Sequence, residues 1–477
     1  MKVLRMRTVC LLLFIAGATR AADFHTGQAA RAVIGQSSFS ARESGVTAHA
    51  LSLVRGRLNA AEDNRLITFD VSKPCTLCGS APISVVNQSV LHGVSAVAVF
   101  GKTVVAADTA NHRVLIWRST TPGPGAIGPK QPDAALTIAE PVSVAYDGHR
   151  LFVGDAALHH VLVWNTLPSI DDQPADAVLG QAGEQPGAAT IDTPAALVSD
   201  GTNLFVSDTD NRRILVFSPG DIGIAADAVV NSASLFAQPF APGTLITIRA
   251  AGVAESTEAA ASSSSEPLPT TLANVEVFLN GVALPLLAVS PEDIQAQLPY
   301  DFGSATSGSL YLRASRESGL AVVSTAAAVR FAAASPGIFA VGEREPRSGL
   351  LLHSSDEAES DGSAAKGAPI TPENPATPGE VITVWTNGLG LVGDVHSVVA
   401  GLPADAPDNE TLLPVRAVVN GEPAEVLSAR LPRGVVGVYE VLVALPASMP
   451  AEEKVHLQLL QNGISSNTVI FPVKILE

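Results

Sequence analysis

Aspartate recurs in this chain in nearly constant company. Asp108, Asn111 and Arg113 sit in VVAADTANHRVLIW (104–117), Asp208, Asn211 and Arg213 in LFVSDTDNRRILVF (204–217), and Asp155 with His159 and His160 in LFVGDAALHHVLVW (151–164). Carboxylates, amides and guanidinium groups repeated in this way could ring a channel and bind a ligand there. A recurring turn would give the same pattern without any ligand, because Asp, Asn and Thr bond their own backbone in tight bends. The forked donors of Arg113 and Arg213 suit bridges to neighbouring segments. His159 and His160 are adjacent, so on a strand they point to opposite faces and at most one serves any given metal site. No metal site is assigned, although calcium could bind acidic turns such as Asp208-Thr209-Asp210. Cys75 and Cys78 form CTLC; a zinc site needs two further ligands that no second CxxC or HxxxH supplies, and a local disulfide is the expectation. Ser95 in GVSAV lacks the second glycine of a nucleophile elbow, and GxxxxGKS, HExxH and the EF-hand loop are missing. No catalytic residue is expected.

The elements that must position these residues are strands. With LNAAEDNRLITFD (58–70) the hairpin occurs four times, each copy an apolar strand, a polar turn and an apolar strand. Arg65, Arg113, His160 and Arg213 are separated by 48, 47 and 53 residues, a period that implies stacked supersecondary units. A strand precedes the later hairpins (AVAVF, SVAYDGH, ALVSDGT), and an outer strand recurs as RAVIGQ (31–36), ISVVNQ, DAALTI and DAVLGQ. That makes about four strands per unit, as in a propeller blade. RAVIGQ comes before the first hairpin, so it could complete the last blade and hide the edges of the ring. ADAVVN (226–231) competes as the last blade's outer strand or as the first strand of the next domain. The pattern of apolar strand, Asp-Thr-x-Asn-x-Arg turn and apolar strand resembles the NHL-repeat propeller family over about residues 24–225. The fit is close at 104–117 and 204–217; the first copy has Glu62 and a shorter turn, and the third replaces the polar-Arg pair with His159 and His160. Propellers of that family commonly have six blades, so four copies imply a small or incomplete ring.

After about residue 226 a second template appears twice. FAPGTLITIRAAGV (240–253) parallels ATPGEVITVWTNGLG (376–390), and VEVFLNGVALPLLAVS (275–290) parallels VRAVVNGEPAEVLSARL (415–431). Asn280-Gly281 and Asn420-Gly421 suit two-residue hairpins, since both residues accept positive φ. Many short alternating strands predict two antiparallel sandwiches. The stretches VVNSASL, PGTLITI, ASPGIF, WTNGLG and SSNTVIF resemble an uncharacterised Ig-like C-terminal domain family of secreted bacterial proteins, especially those of soil acidobacteria. The resemblance implies a tandem module appended to varied partners and carries no activity. The expected fold is therefore all-β: a short NHL-like propeller (22–226), an Ig-like sandwich (227–342), a linker or long loop (343–374) and a second sandwich (375–477).

Lys2, Arg5 and Arg7 followed by apolar Val9 to Ala18 read as a secretory signal over 1–21, too short in its apolar part to span a bilayer. Removing it takes four positive charges and moves the formal net charge from −17 to −21. Such an acidic chain without Lys/Arg runs disfavours nucleic acid. No later stretch is long enough for a transmembrane helix. The expected function is that of a secreted or cell-surface, non-enzymatic protein whose propeller binds a protein or glycan while the sandwiches act as spacer and attachment. The alternatives are a metal-dependent propeller lyase or hydrolase, and a structural envelope or matrix component. Glycan platforms use exposed aromatics, and with 3 Trp and 4 Tyr that partner is the less favoured.

Overall fold

The computed structural model describes residues 24–474 except 35, 42–49, 55–56, 62–64, 71–83, 88–95, 101–102, 119–131, 182, 184–185, 238, 261–265, 317, 343, 355–366, 394–397, 407–408 and 450. The leader, Cys75, Cys78 and Ser95 lie outside the described residues. The described part is all-β; two single 3-10 turns, Thr109–Asn111 and Ala226–Ala228, are the helical elements among the described residues.

The repeat becomes four antiparallel four-stranded sheets. The first comprises Ala50–Val54, Arg57–Ala61, Arg65–Asp70 and Ser84–Asn87, and the second Val97–Phe100, Thr103–Asp108, Arg113–Arg118 and Ala134–Thr137. The third comprises Pro141–Tyr146, Leu151–Asp155, His160–Trp164 and Ala177–Leu179. In the fourth, Pro194–Ser199, Leu204–Asp208 and Arg213–Phe217 are joined by the N-terminal strand Ala32–Ile34, whose register runs Ala32 to Val216, Val33 to Leu215 and Ile34 to Ile214. RAVIGQ thus completes the last sheet. Leu151–Asp155 and Leu204–Asp208 are buried at every position, because other sheets cover both their faces. The leading strands pack on one another: Pro141–Tyr146 touches Val97–Phe100 and Pro194–Ser199, and the latter touches Ala50–Val54. Phe152, Phe217 and Leu204 are fully buried between these sheets, each stabilising the fold by roughly 1.5–3 kcal/mol.

Val229–Asn231 pairs with Leu245–Arg249, so the VVN of ADAVVN opens the next unit. There, one sheet (229–231, 245–249, 293–297, 286–289, 258–259) faces another built on Val275–Leu279 and Ser307–Ser315. Their facing side chains form a single apolar cluster that includes Ile246, Val277 and Leu310. The second copy is one eleven-stranded sheet folded over itself through Glu422–Arg430, which pairs Val415–Val419 over its first three residues and Tyr439–Ala444 from Glu425 onward, across a bulge at Val426/Ser428. Asn280-Gly281 and Asn420-Gly421 have φ of 52°, 82°, 48° and 86°, and Asn462-Gly463 makes a third such turn at 50° and 77°. Both repeats use the turn Asn in the same way: Asn280 Oδ1 accepts the Ser309 amide at 2.8 Å and Asn420 Oδ1 the His456 amide at 2.8 Å.

The expected linker at 343–374 is corrected in part. Arg347–Gly349 runs parallel to Val469–Val473, and Leu351–His353 pairs with Val381–Asn387, so these residues belong to the second sandwich. Gly337–Ile338 also crosses into it, pairing with Thr386 and Asn387. Strands of two or three residues carry too little alternation to register against their polar surroundings.

The units are joined by specific bonds. Arg31 lies over Tyr311 at 4.6 Å and its Nη2 donates to Ser324 O at 2.8 Å, while the Ala188 amide donates to Ser307 Oγ at 3.1 Å. Between the sandwiches, Gln297 Oε1 accepts the Gly401 amide at 2.6 Å and the Tyr300 and Tyr439 phenols hydrogen-bond each other; Gln297 Nε2 donates to Tyr300 Oη at 3.3 Å within the first, and Tyr439 Oη donates to Gly390 O within the second. Burial raises the pKa of both the Tyr300 and Tyr439 phenols above the ordinary value of 10.0, since the anion would lose its hydration. A raised folded-state pKa leaves stability intact below the unfolded value and removes it as pH climbs toward the folded one, because the unfolded chain ionises first. Melting temperature should therefore fall steeply above about pH 10, and less steeply in Tyr439→Phe. Equal alkaline slopes in the two proteins would contradict this account.

Candidate functional site

The turns of the second, third and fourth sheets place the residues singled out by the repeat. In each, the aspartate ends one strand and pairs across the hairpin with the basic residue that starts the next: Asp108 with Arg113, Asp155 with His160 and Asp208 with Arg213. The residue before the basic one adopts left-handed backbone, with φ of 53° at His112, 55° at His159 and 55° at Arg212. That shared conformation, uncommon in non-glycine residues though less so for Asn, Asp and His, marks the turns as one device. The first copy's turn, 62–64, lies outside the described residues.

Burial separates the three turns. In the fourth sheet Asp208 and Arg213 have side chains 0% exposed. Arg213 Nε donates to Asp208 Oδ2 at 2.7 Å and Asn211 Nδ2 to the same oxygen at 2.9 Å, while Asp208 Oδ1 accepts the Asp192 amide at 2.9 Å. The rest of the guanidinium reaches Gly187 O at 3.0 Å, Thr190 O at 2.7 Å and Phe39 O. Arg213 thus fastens its own hairpin to the connection from the third sheet and to the segment after the N-terminal strand. Asp208, Asn211 and Arg213 are turned inward onto one another, which corrects their expected place on a ligand-facing surface.

In the second sheet the same geometry stands in solvent. Arg113 Nε donates to Asp108 Oδ2 at 2.7 Å and Asn111 Nδ2 to both carboxylate oxygens at 2.8 and 2.9 Å. The Arg113 hydrogen bond, with help from Asn111, holds the Asp108 carboxyl below the usual carboxylate range. In the third sheet Asp155 Oδ1 accepts the Glu140 and Ala157 amides at 3.1 Å each, and His160 Nε2 stops 3.8 Å from Asp155 Oδ2. His160 Nε2 is buried with no hydrogen-bond partner among the described residues, and burial lowers its pKa despite the neighbouring Asp155. His159 turns instead to the Asp192 carbonyl. The two histidines diverge, and among the described residues no group of three His, Cys, Asp or Glu is placed to hold a metal.

Links missed in the sequence run from sheet to sheet at about one repeat. Ser143 Oγ donates to Pro194 O, 51 residues on; Arg150 Nη2 donates to Gly201 O at 2.9 Å, also 51 residues on; and Arg118 Nη2 donates to Leu167 O at 3.1 Å, 49 residues on. His112 reaches the Ala139 carbonyl as His159 reaches that of Asp192. A search for polar residues recurring at the hairpin period would have flagged His112 with His159. Around these turns Leu158 is 54% exposed.

Neither family models nor curated proteins give a match to this chain. Solved structures similar to it include the glutaminyl cyclase of Myxococcus xanthus, at 11% identity over 40% of this chain and 91% of that one with a TM-score of 0.19. Fibronectin(III)-like modules of CbhA from Clostridium thermocellum are similar at 13% identity over 50% and 88%, TM-score 0.13. PorZ, a bacterial surface component of the type-IX secretion system of Porphyromonas gingivalis, is similar at 10% identity over 87% of this chain and 52% of that one, TM-score 0.17. Tandem Ig domains of titin are also among these neighbours. At these TM-scores the likenesses carry no argument about activity or about the arrangement of the sheets.

Proposed function

We propose that the chain is a secreted or cell-surface, non-enzymatic binding protein. Its four sheets act as a short NHL-like propeller of four blades whose turn face meets a partner protein, with a glycan the less favoured ligand, and its two Ig-like sandwiches serve as spacer and attachment. The observation that carries this reading is the use made of the polar side chains: Ser143, Arg150, Arg118 and Arg213 fix one sheet to the next or to a connection. Loops mounted on such a frame keep their relative positions, which lowers the ordering cost of binding. The exposed Asp108, Asn111 and Arg113 cluster and Leu158 belong to that face.

The test is a protein and glycan array probed with the full chain lacking residues 1–21. Any partner found should be lost on Leu158→Asp or Arg113→Glu and retained by Leu427→Asp, a change on the far sandwich where Leu427 is 51% exposed. Loss on Leu427→Asp alone would move the binding face to the sandwich, and assembly of the intact chain with no ligand bound would favour a matrix role.

A further inference from the structure

A groove opens where the three units meet. It has a volume of about 620 Å³, inside the roughly 300–1,000 Å³ range of small-molecule sites. Its first wall is the first sandwich, where Phe302 and Phe331 stack with centroids 4.0 Å apart and planes 16° from parallel. Gly308 backs that pair: a Cβ there would lie 2.8 Å from Phe331 Cζ, so the ring is held from behind. Ser38, from the segment after the N-terminal strand, and Ala400, from the second sandwich, supply the other walls.

Hydrogen bonds fix these walls. The Thr306 amide donates to Ser40 Oγ at 2.7 Å, the Leu268 amide to Gly401 O at 2.8 Å and the Gly401 amide to Gln297 Oε1 at 2.6 Å. The lining is aliphatic and aromatic with a few hydroxyl and amide groups, and Asp301 is the one charged side chain in it among the described residues. Its Oδ1 accepts the Gly303 amide at 2.6 Å, and that is the one bond found for this carboxylate among the described residues. The formal charge of −17 adds a field that attracts cations and repels anions.

We propose that this groove binds a small molecule with an apolar, preferably aromatic, body and one ammonium group. The body lies along the phenylalanine pair and the cation meets Asp301. A carboxylate of the same shape meets like charge instead, and a neutral analogue forgoes the ion pair. Aromatic faces also attract ammonium groups directly. The site lies apart from the hairpin turns and stands whether or not those turns bind a partner.

Two probes with one ring system and opposite head groups test this, 2-naphthylmethylamine and 2-naphthylacetate, titrated calorimetrically into the full chain lacking residues 1–21. The amine should bind more tightly by up to about fivefold, the effect of one solvent-facing ion pair. Asp301→Asn should bring the two affinities together, and Val282→Lys, at a rim position 56% exposed, should reverse their order. Both substitutions sit on the surface, and an unchanged melting temperature confirms that each variant is folded. Phe331→Leu should weaken both probes alike. Absence of binding by either probe, equal affinities in the parent chain, or a preference that survives Asp301→Asn overturns the proposal.

Discussion

Arg213→Ala is expected to destabilise the four-sheet unit by about 3–5 kcal/mol, the usual loss when one partner of a buried ion pair is deleted. The variant buries the Asp208 carboxylate, 0% exposed in the parent, without its charged donor, leaving Asn211 alone on Oδ2, and it strips bonds from Phe39 O, Gly187 O and Thr190 O together. Arg213→Lys should recover little, because one ammonium cannot reach acceptors fanned around a planar fork. The matched control is Arg113→Ala. Its Nε to Asp108 distance is the same 2.7 Å, but the side chains are 47% and 26% exposed, so solvent screens the pair and the loss should stay within about 1 kcal/mol. Denaturant unfolding followed by the fluorescence of Trp164, buried in the third sheet, reads both. Equal shifts in the two variants would show that burial is not what makes the fourth turn matter.

Asn387→Ala should have the second large effect, at the joint between the sandwiches. Asn387 is fully buried; its Oδ1 accepts the Leu245 amide at 2.9 Å, and its Nδ2 donates to Leu245 O at 2.7 Å and to Asn231 Oδ1 at 3.1 Å. The side chain therefore satisfies both backbone groups of one residue, as a neighbouring strand would. Alanine leaves the buried Leu245 amide open at roughly 1–3 kcal/mol, while Leu245 O keeps the Ser232 amide at 2.9 Å. Because the lost bonds lie between units, the variant should also be cleaved by protease at the junction and show a larger radius of gyration in small-angle scattering. Unchanged scattering and protease resistance would mean that Gln297 and the Tyr300–Tyr439 contact hold the joint alone.

Local chemistry made much of this legible in the sequence. The hairpins repeated because Asp, Asn and Arg turns between Val/Leu/Ile runs repeat, and the early position of RAVIGQ suggested a partner at the far end of the repeat, with ADAVVN as its competitor. Asn280-Gly281 and Asn420-Gly421 announced their turns, whereas the Asn of Asn387-Gly388 ends a buried strand. The inner strand Ala50–Val54 was missed, as ALSLV is short and its neighbourhood carries no second copy in clear register. The buried Asn231, Asn387 and Asn467 stood inside the stretches VVNSASL, WTNGLG and SSNTVIF, yet their role was invisible. Asn467 grips both backbone groups of Ile338 at 2.8 and 3.0 Å, and its partner lies 129 residues away in sequence. Periodicity reports which face of a strand is apolar and says nothing of such distant partners. The same blindness placed Asp208 and Asp108 in one class, although one is sealed and the other is wet.

The pairing of Ala32–Ile34 with Arg213–Phe217 also sets an order of events during synthesis. The strand made first is the one used last in the four-sheet unit, since its neighbour emerges about 180 residues later, and the entropic cost of closing so long a loop grows only slowly with length. Until then the edge of Arg213–Phe217 and the N-terminal segment are both unpaired and open to wrong partners. Exchange of the first strand between two chains at high concentration would satisfy both edges, so the device that completes the last sheet is also its most direct route to a domain-swapped dimer.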